Sequence, residues 1–251
     1  MRLAGKVAIV TGGSRGIGRA IALAFAREGA IIAVVSRNEI SCDKVVTEIS
    51  KGGGNAISIR ADIASEEDMA RMAEHTKDKF KRIDILVNCA GVNLPYKTVT
   101  ELTLDEWNWV VGVNLTGTFL ACRAVVPQMT AQGSGKIINI SSIGGRFGAA
   151  GRSPYRASKA AIINFTQCLA AELKESGIDV NAICPGAVAT EMFSDITGGN
   201  MPPGTMPPED IAAVAVFLAS DESRALTGSA IDAYGPRNPI FTATSAIRKT
   251  Q

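Results

Sequence analysis

The chain has 251 residues, 46% of them hydrophobic and 20% charged, which suits one large α/β domain and is the wrong composition for a disordered chain. A formal net charge of +2 leaves no basic footprint for nucleic acid and no polybasic membrane patch. No apolar run approaches the ~18 residues of a membrane span, and the N-terminal stretch, broken by Lys6, reads poorly as a signal peptide.

A β-branched run at 7–11 predicts a first strand, and a helix over 16–28 follows a glycine-rich turn. Strand 31–36 and helix 38–50 come next, then strand 56–60 and helix 66–80. Ser65 before Glu66, Glu67 and Asp68 reads as an N-cap with acids in the first turn. Strand 83–87 leads to a long helix over 103–130, whose start, Thr103-Leu-Asp-Glu106, resembles a capping box. Strand 136–140, helix 154–175, strand 180–184, helix 208–219 and strand 229–232 complete the series. Continuously apolar strands alternating with helices predict a single doubly wound Rossmann-type α/β domain over 1–251, its seven-stranded parallel sheet flanked by helices. The Gly-, Pro- and Met-rich stretch at 191–208 interrupts this rhythm and reads as a short lid. Residues 237–251 form a tail with little periodicity.

The first strand runs into Thr11-Gly-Gly-Ser-Arg-Gly-Ile-Gly18. Gly12 permits a tight turn, Gly16 lets backbone approach a pyrophosphate, and Gly18 lets helix and strand pack closely. The helix that follows presents free N–H groups to phosphate. A plain βα turn is the alternative, but glycines there cost helix stability without return. Gly12-Gly-Ser14-Arg-Gly16 also matches the nucleophile elbow of serine hydrolases. That reading needs a late histidine, and the chain's one histidine, His75, lies early in a hydrophilic helix. The hydrolase reading fails on its base.

About 20 residues beyond the glycines an NAD site carries an acid for the ribose; this chain has Ser36-Arg37-Asn38. An uncharged Ser36 does not repel a 2′-phosphate, and Arg37 and Arg15 can pair with one. NADP(H) is therefore the expected cofactor. Five scattered cysteines without a C-x-x-C pair fit neither a disulfide framework nor a zinc site, so no metal is expected and a reducing cytoplasm is.

Tyr155 and Lys159 stand one turn apart on the same face of a helix start, after a strand ending in Ile140-Ser-Ser142. Together with the Thr11–Gly18 turn, Asn88-Cys-Ala-Gly91, Asn114 and Pro185-Gly186, this set resembles the short-chain dehydrogenase/reductase family, over about residues 5–235. The pattern is nearest the 3-oxoacyl-acyl-carrier-protein reductase-like members. The resemblance implies hydride transfer between NADP(H) and a carbonyl or secondary alcohol, with Tyr155 as general acid/base, Lys159 beside it, Ser142 on the substrate oxygen and Asn114 holding a relay water. A free phenol has a pKa of about 10; one ammonium about 4 Å away offers about 4 kcal/mol toward lowering it, and Lys159 is the expected source.

By the same resemblance, Gly12, Ser14, Arg15, Gly16, Ile17 and Gly18 hold the phosphates, with Ser36, Arg37 and Asn38 at the ribose. Asp62 and Ile63 address the adenine, while Asn88, Ala90 and Gly91 line the ribose and pyrophosphate. Pro185, Gly186, Val188 and Thr190 clamp the nicotinamide, and Tyr155 and Lys159 also contact it. The chain departs from the pattern at Cys89, in a shorter lid, and at Tyr234-Gly235-Pro236. Gly133 and Ser176 stand where carrier-protein reductases often have docking arginines. Arg146, Arg152 and Arg156 each read singly as a solvated loop charge, and together they favour a small anionic substrate. A homotetramer, or at least a dimer, is expected because the helices at 103–130 and 154–175 are apolar on more than one face.

Overall fold

The computed structural model describes residues 1–235; the tail at 237–251 lies outside the described residues. Strands β1 (Val7–Thr11), β2 (Ile31–Ser36), β3 (Asn55–Arg60), β4 (Ile85–Asn88), β5 (Gly135–Ile140), β6 (Ile178–Pro185) and β7 (Ala230–Ala233) form one sheet in the order β3-β2-β1-β4-β5-β6-β7. All six pairings are parallel. Parallel strands need crossovers that cover both faces. Helices α1 (Gly16–Arg27), α2 (Glu39–Lys51) and α8 (Pro208–Ala219) cover one face. On the other lie α3 (Glu66–Phe80), α4 (Leu104–Val111), α5 (Gly117–Gln132) and α6 (Ser153–Leu173). The strand order reverses between β1 and β4, which opens a crevice at their C-terminal ends.

Local chemistry explains the boundaries. Ser65 caps α3 by accepting from the Asp68 N–H at 3.2 Å, and Thr103 and Glu106 form the reciprocal capping box of α4. The expected helix at 103–130 is not continuous: α4 passes through a π-helical turn, Gly112–Thr116, into α5. Leu104–Gln132 thus runs for 29 residues, with a mean hydropathy of 1.5 over its most apolar stretch. By length and composition it can cross a bilayer, although no uninterrupted apolar run reaches that length; half of the stretch is buried inside the fold. The segment expected to be a lid contains one element that periodicity did not show, α7 (Glu191–Thr197).

At the opposite end of the sheet, buried Asp84 accepts from the Val7 N–H at 2.8 Å and from two nitrogens of the Arg82 guanidinium. The carboxylate ties the start of β1 to β4.

Candidate active site

One cavity of about 910 Å³ opens along the C-terminal ends of the strands, the size of a ligand pocket. Its walls combine the β1–α1 turn, the ends of β2 and β4, the loop after β5, the start of α6 and helix α7.

The turn is shaped by glycine. Gly12 has φ +65°, and a Cβ there would lie 2.8 Å from the Ala90 backbone. Gly18 is required inside the turn itself, where a Cβ would run into the Gly12 carbonyl, rather than by helix–strand packing. A Cβ on Gly16 would press on Thr190 at 3.2 Å. Thr11 joins β1 to β4: its Oγ1 accepts from the Cys89 and Ala90 N–H groups at 3.2 and 3.3 Å. No side chain caps α1, so its first N–H groups face the cavity beside Ser14 and Ile17.

At the end of β2, Ser36 accepts from the Asn38 N–H at 3.2 Å, and Asn38 caps α2 through the Ser41 N–H. Arg37 is exposed, lines the cavity and has no acidic partner among the described residues. Arg15 differs: its guanidinium pairs with Glu191 of α7 at 2.8 Å. Asp62 and Ile63 both line the cavity, with the Asp62 carboxylate accepting from the Ala64 N–H at 3.0 Å.

After β4, Ala90 and Gly91 face the cavity as expected. Asn88 does not. Its side chain turns into the core, donating to Asn139 Oδ1 at 2.9 Å and to Cys122 Sγ at 3.2 Å. Both amide donors are thereby satisfied inside the protein, while Asn88 Oδ1 is buried without a partner among the described residues. Cys89 faces the cavity, and burial pushes its thiol up to about 12, too high for a thiolate nucleophile.

The π-helical turn places Asn114 fully inside the fold. Asn114 Nδ2 donates to the Val92 carbonyl at 3.0 Å and to Ser158 Oγ at 3.1 Å, while its Oδ1 accepts from the Val92 N–H at 2.8 Å. The amide therefore staples α6 to the loop after β4. Ser158, which the sequence did not single out, continues the chain by donating to the Tyr155 carbonyl at 2.8 Å.

Ser142 caps a short 3₁₀ turn, Ile143–Gly145, accepting from the Gly144 N–H at 3.0 Å. That turn presses so closely on α6 that a Cβ on Gly145 would sit 2.7 Å from the Lys159 carbonyl. Ser142 and Tyr155 consequently face the same spot, since a Cβ on Gly144 would meet both, at 3.4 and 3.5 Å. Lys159 is only 5% exposed; its Nζ donates to the Ile140 carbonyl at 2.8 Å and stands 5.8 Å from the Tyr155 ring centroid.

Burial sets the electrostatics here. It pushes the Tyr155 phenol above its ordinary value, opposed by hydrogen bonding with Ser142 and by the nearby Arg156 and Arg152 cations. The expected lowering of the phenol by Lys159 is not what the geometry gives. The ammonium is itself held down to about 8 by burial.

Gly186 lets the end of β6 pass Tyr234, whose backbone a Cβ would approach to 3.0 Å. Pro185, Gly186, Val188 and Thr190 all line the cavity. Thr190 also has a local duty: its Oγ1 accepts from the Phe193 N–H at 3.2 Å and so starts α7. Met192, Phe193 and Ile196 of α7, with Tyr234, add wall that the sequence reading missed. The apolar faces of α7 were the available signal, hidden within a Gly- and Pro-rich stretch.

A doubly wound sheet with a glycine-turn crevice defines a nucleotide-binding α/β protein. The short chain dehydrogenase family model matches residues 6–200. The 3-oxoacyl-[acyl-carrier-protein] reductase of Synechocystis sp. is 40% identical over 243 residues, covering 93% of this chain and 97% of that protein. The 2,5-dichloro-2,5-cyclohexadiene-1,4-diol dehydrogenase of Sphingobium indicum is 38% identical, covering 90% and 94%. Among solved structures, a short-chain type dehydrogenase/reductase from Mycobacterium marinum superposes with a TM-score of 0.89 at 34% identity, covering 93% and 95%. The chain belongs to the short-chain dehydrogenase family. It is an oxidoreductase of that family, close to the 3-oxoacyl-acyl-carrier-protein reductases. Membership implies a nicotinamide cofactor and a small-molecule substrate.

Proposed function

We propose that the chain is an NADP(H)-dependent reductase or dehydrogenase acting on a carbonyl or secondary alcohol, with its whole length forming one domain. The observation that carries this reading is the continuity of the cavity, which joins the uncapped α1 N-terminus to Ser142, Tyr155 and Lys159. When bound, the nicotinamide supplies or accepts the hydride. Tyr155 then gives a proton to the substrate oxygen, or takes one in the reverse direction, and Ser142 holds that oxygen against the phenol. The Lys159 cation supports negative charge on the oxygen, while Asn114 keeps α6 in register with the loop after β4. Gly12, Ser14, Gly16, Ile17 and Gly18 are the phosphate cradle, and the missing Cβ at Gly12 lets the Ala90 backbone pack against the turn. Asp62, Ile63, Ala90 and Gly91 flank the adenosine side; Pro185, Gly186, Val188 and Thr190 flank the nicotinamide.

The relative that is 40% identical favours a second, narrower reading, a 3-oxoacyl-acyl-carrier-protein reductase. Against it, the positions expected to dock the acidic carrier are Gly133 and Ser176. A nucleotide-binding sensor or scaffold is disfavoured by the intact Ser142, Tyr155 and Lys159 set. NADPH oxidation measured over neutral ketones, oxo acids and 3-oxoacyl thioesters separates the three; no turnover on any of them refutes the enzyme. Free cysteines at all five positions accord with a cytoplasmic setting.

The NADP preference rests on Arg37, with Ser36 and Asn38 leaving no acid beside the ribose. Arg15 contributes less, because Glu191 already engages it. Arg37→Asp is expected to weaken NADPH binding at least ten- to hundredfold, since a charge-assisted contact is worth roughly 1.5–3 kcal/mol and repulsion adds to its loss. NADH binding should hold or improve. Equal kcat/KM for the two cofactors in the wild type would show that Arg37 points into solvent.

The same reading includes a homotetramer, or at least a dimer. Leu120, Val125, Ile162 and Leu169 are buried in the fold. Phe119 remains 41% exposed, edge-to-face with Phe165 at 6.4 Å and under Arg123. Trp107, Trp109 and Leu104 are exposed on α4, which adds to the apolar surplus. Light scattering should report a dimer or tetramer at micromolar concentration; a monomer rules this out.

A further inference from the structure

We infer that the cavity selects a substrate carrying a carboxylate and that Arg152 is the residue that anchors it, an inference that rests on the oxidoreductase reading above. Arg152 lies at the start of α6, three residues before Tyr155, with φ +60°. L side chains seldom adopt that conformation, and the residue lines the cavity. One of its NH₂ groups donates to the Ile196 carbonyl at 3.2 Å, which holds the side chain under α7. Its Nε is buried without a hydrogen-bond partner, and no carboxylate among the described residues pairs with it. A buried donor on a charged group is costly when unmade.

The surroundings sharpen the point. Arg156, one turn further on, lines the same wall and donates to the Phe147 carbonyl at 2.7 Å. It too lacks an acidic partner among the described residues. Both cations lie near enough to draw the Tyr155 phenol downward. Glu191, the acid at this end, is held by Arg15. Arg146, the third arginine of the sequence cluster, is occupied by Asp232 at 2.9 Å and by the Ala230 carbonyl, and it does not line the cavity. The wall beside Tyr155 therefore carries two cations without a counter-charge, next to apolar Ile143, Met192 and Phe193. A carboxylate in the cavity supplies the counter-charge that Arg152 and Arg156 lack, in the forked geometry a guanidinium favours. A neutral ketone leaves both cations without one.

Calorimetry on the full chain with NADP⁺ present, titrating 3-phenylpropionate against 3-phenylpropionamide, tests this without requiring turnover. The two probes share a shape and differ in charge. The wild type is expected to bind the acid at least tenfold more tightly, about 1.4 kcal/mol. Arg152→Asn, a residue that tolerates positive φ, is expected to lose that preference, and Arg152→Lys to retain part of it. Equal affinities in the wild type, a preference that survives Arg152→Asn, or no binding of the acid at millimolar concentration overturns the inference. Failure of the reductase reading registers separately, as absent NADPH oxidation over the substrate panel.

Discussion

Tyr155→Phe is expected to fold, to bind NADPH as the wild type does, and to lose at least a hundredfold in turnover. The phenol is the proton donor nearest the spot that Ser142 also faces, and a positioned acid or base contributes ~10²–10⁴-fold. The substitution removes one oxygen and little volume, so the cavity wall is kept. Because burial raises the phenol, Tyr155 stays protonated through the neutral range, which suits it to donate in the reductive direction. Steady-state rates and cofactor titration of the same variant decide the matter. Weak NADPH binding with retained turnover would remove Tyr155 from the role proposed for it.

Lys159→Met should lose activity and gain stability together. The ammonium is buried, with its titration held down to about 8 against an ordinary 10.5. Between those values the unfolded chain binds more protons than the folded one, so wild-type stability rises with pH across that window. Below about pH 8 the full cost of the buried charge is present, about 3 kcal/mol. Methionine removes that cost but leaves the Ile140 carbonyl without the Lys159 donor at 2.8 Å, a loss of about 1 kcal/mol. Urea denaturation at about pH 7 should show a net gain of roughly 1–3 kcal/mol. At about pH 9.5 that gain should shrink by more than half or vanish, because the wild type no longer carries the full penalty. In activity, the wild-type reductive rate should decline above about pH 8 as the cation is lost, and the variant, slow throughout, should lack that limb. An identical limb in Lys159→Met would show that another group sets it.

The sheet was legible because its strands are continuously apolar and its caps are local. The same holds for the glycine turn, where backbone geometry dictates residue type within a few positions. Legibility fails where one side chain has two possible directions. Asn88 sits in a motif that suggests the cavity, yet the strand's alternation turns it toward Asn139 and Cys122. Thr190 is in the cavity wall as expected, but its hydroxyl also starts α7. Arg15 was read as a phosphate ligand, and only the placement of α7 brings Glu191 to it. The π-helical turn at Gly112–Thr116 leaves no trace in a 3.6-residue pattern, because it adds one residue without changing the apolar face greatly.

By itself, then, the order of residues determined the α/β class, the strand and helix succession and the glycine-rich turn, all of which depend on neighbours close in sequence, while Ser142, Tyr155 and Lys159 entered through the family resemblance. The tertiary structure alone decided the proton affinities of Tyr155 and Lys159, which follow from burial beneath distant elements. It also decided which arginine near Tyr155 is left without a partner. Arg146 and Arg152 look alike in sequence, but β7 brings Asp232 to the first, while the second meets only a carbonyl of α7. Charge compensation is a matter of a few ångströms in space, and spacing along the chain does not encode it.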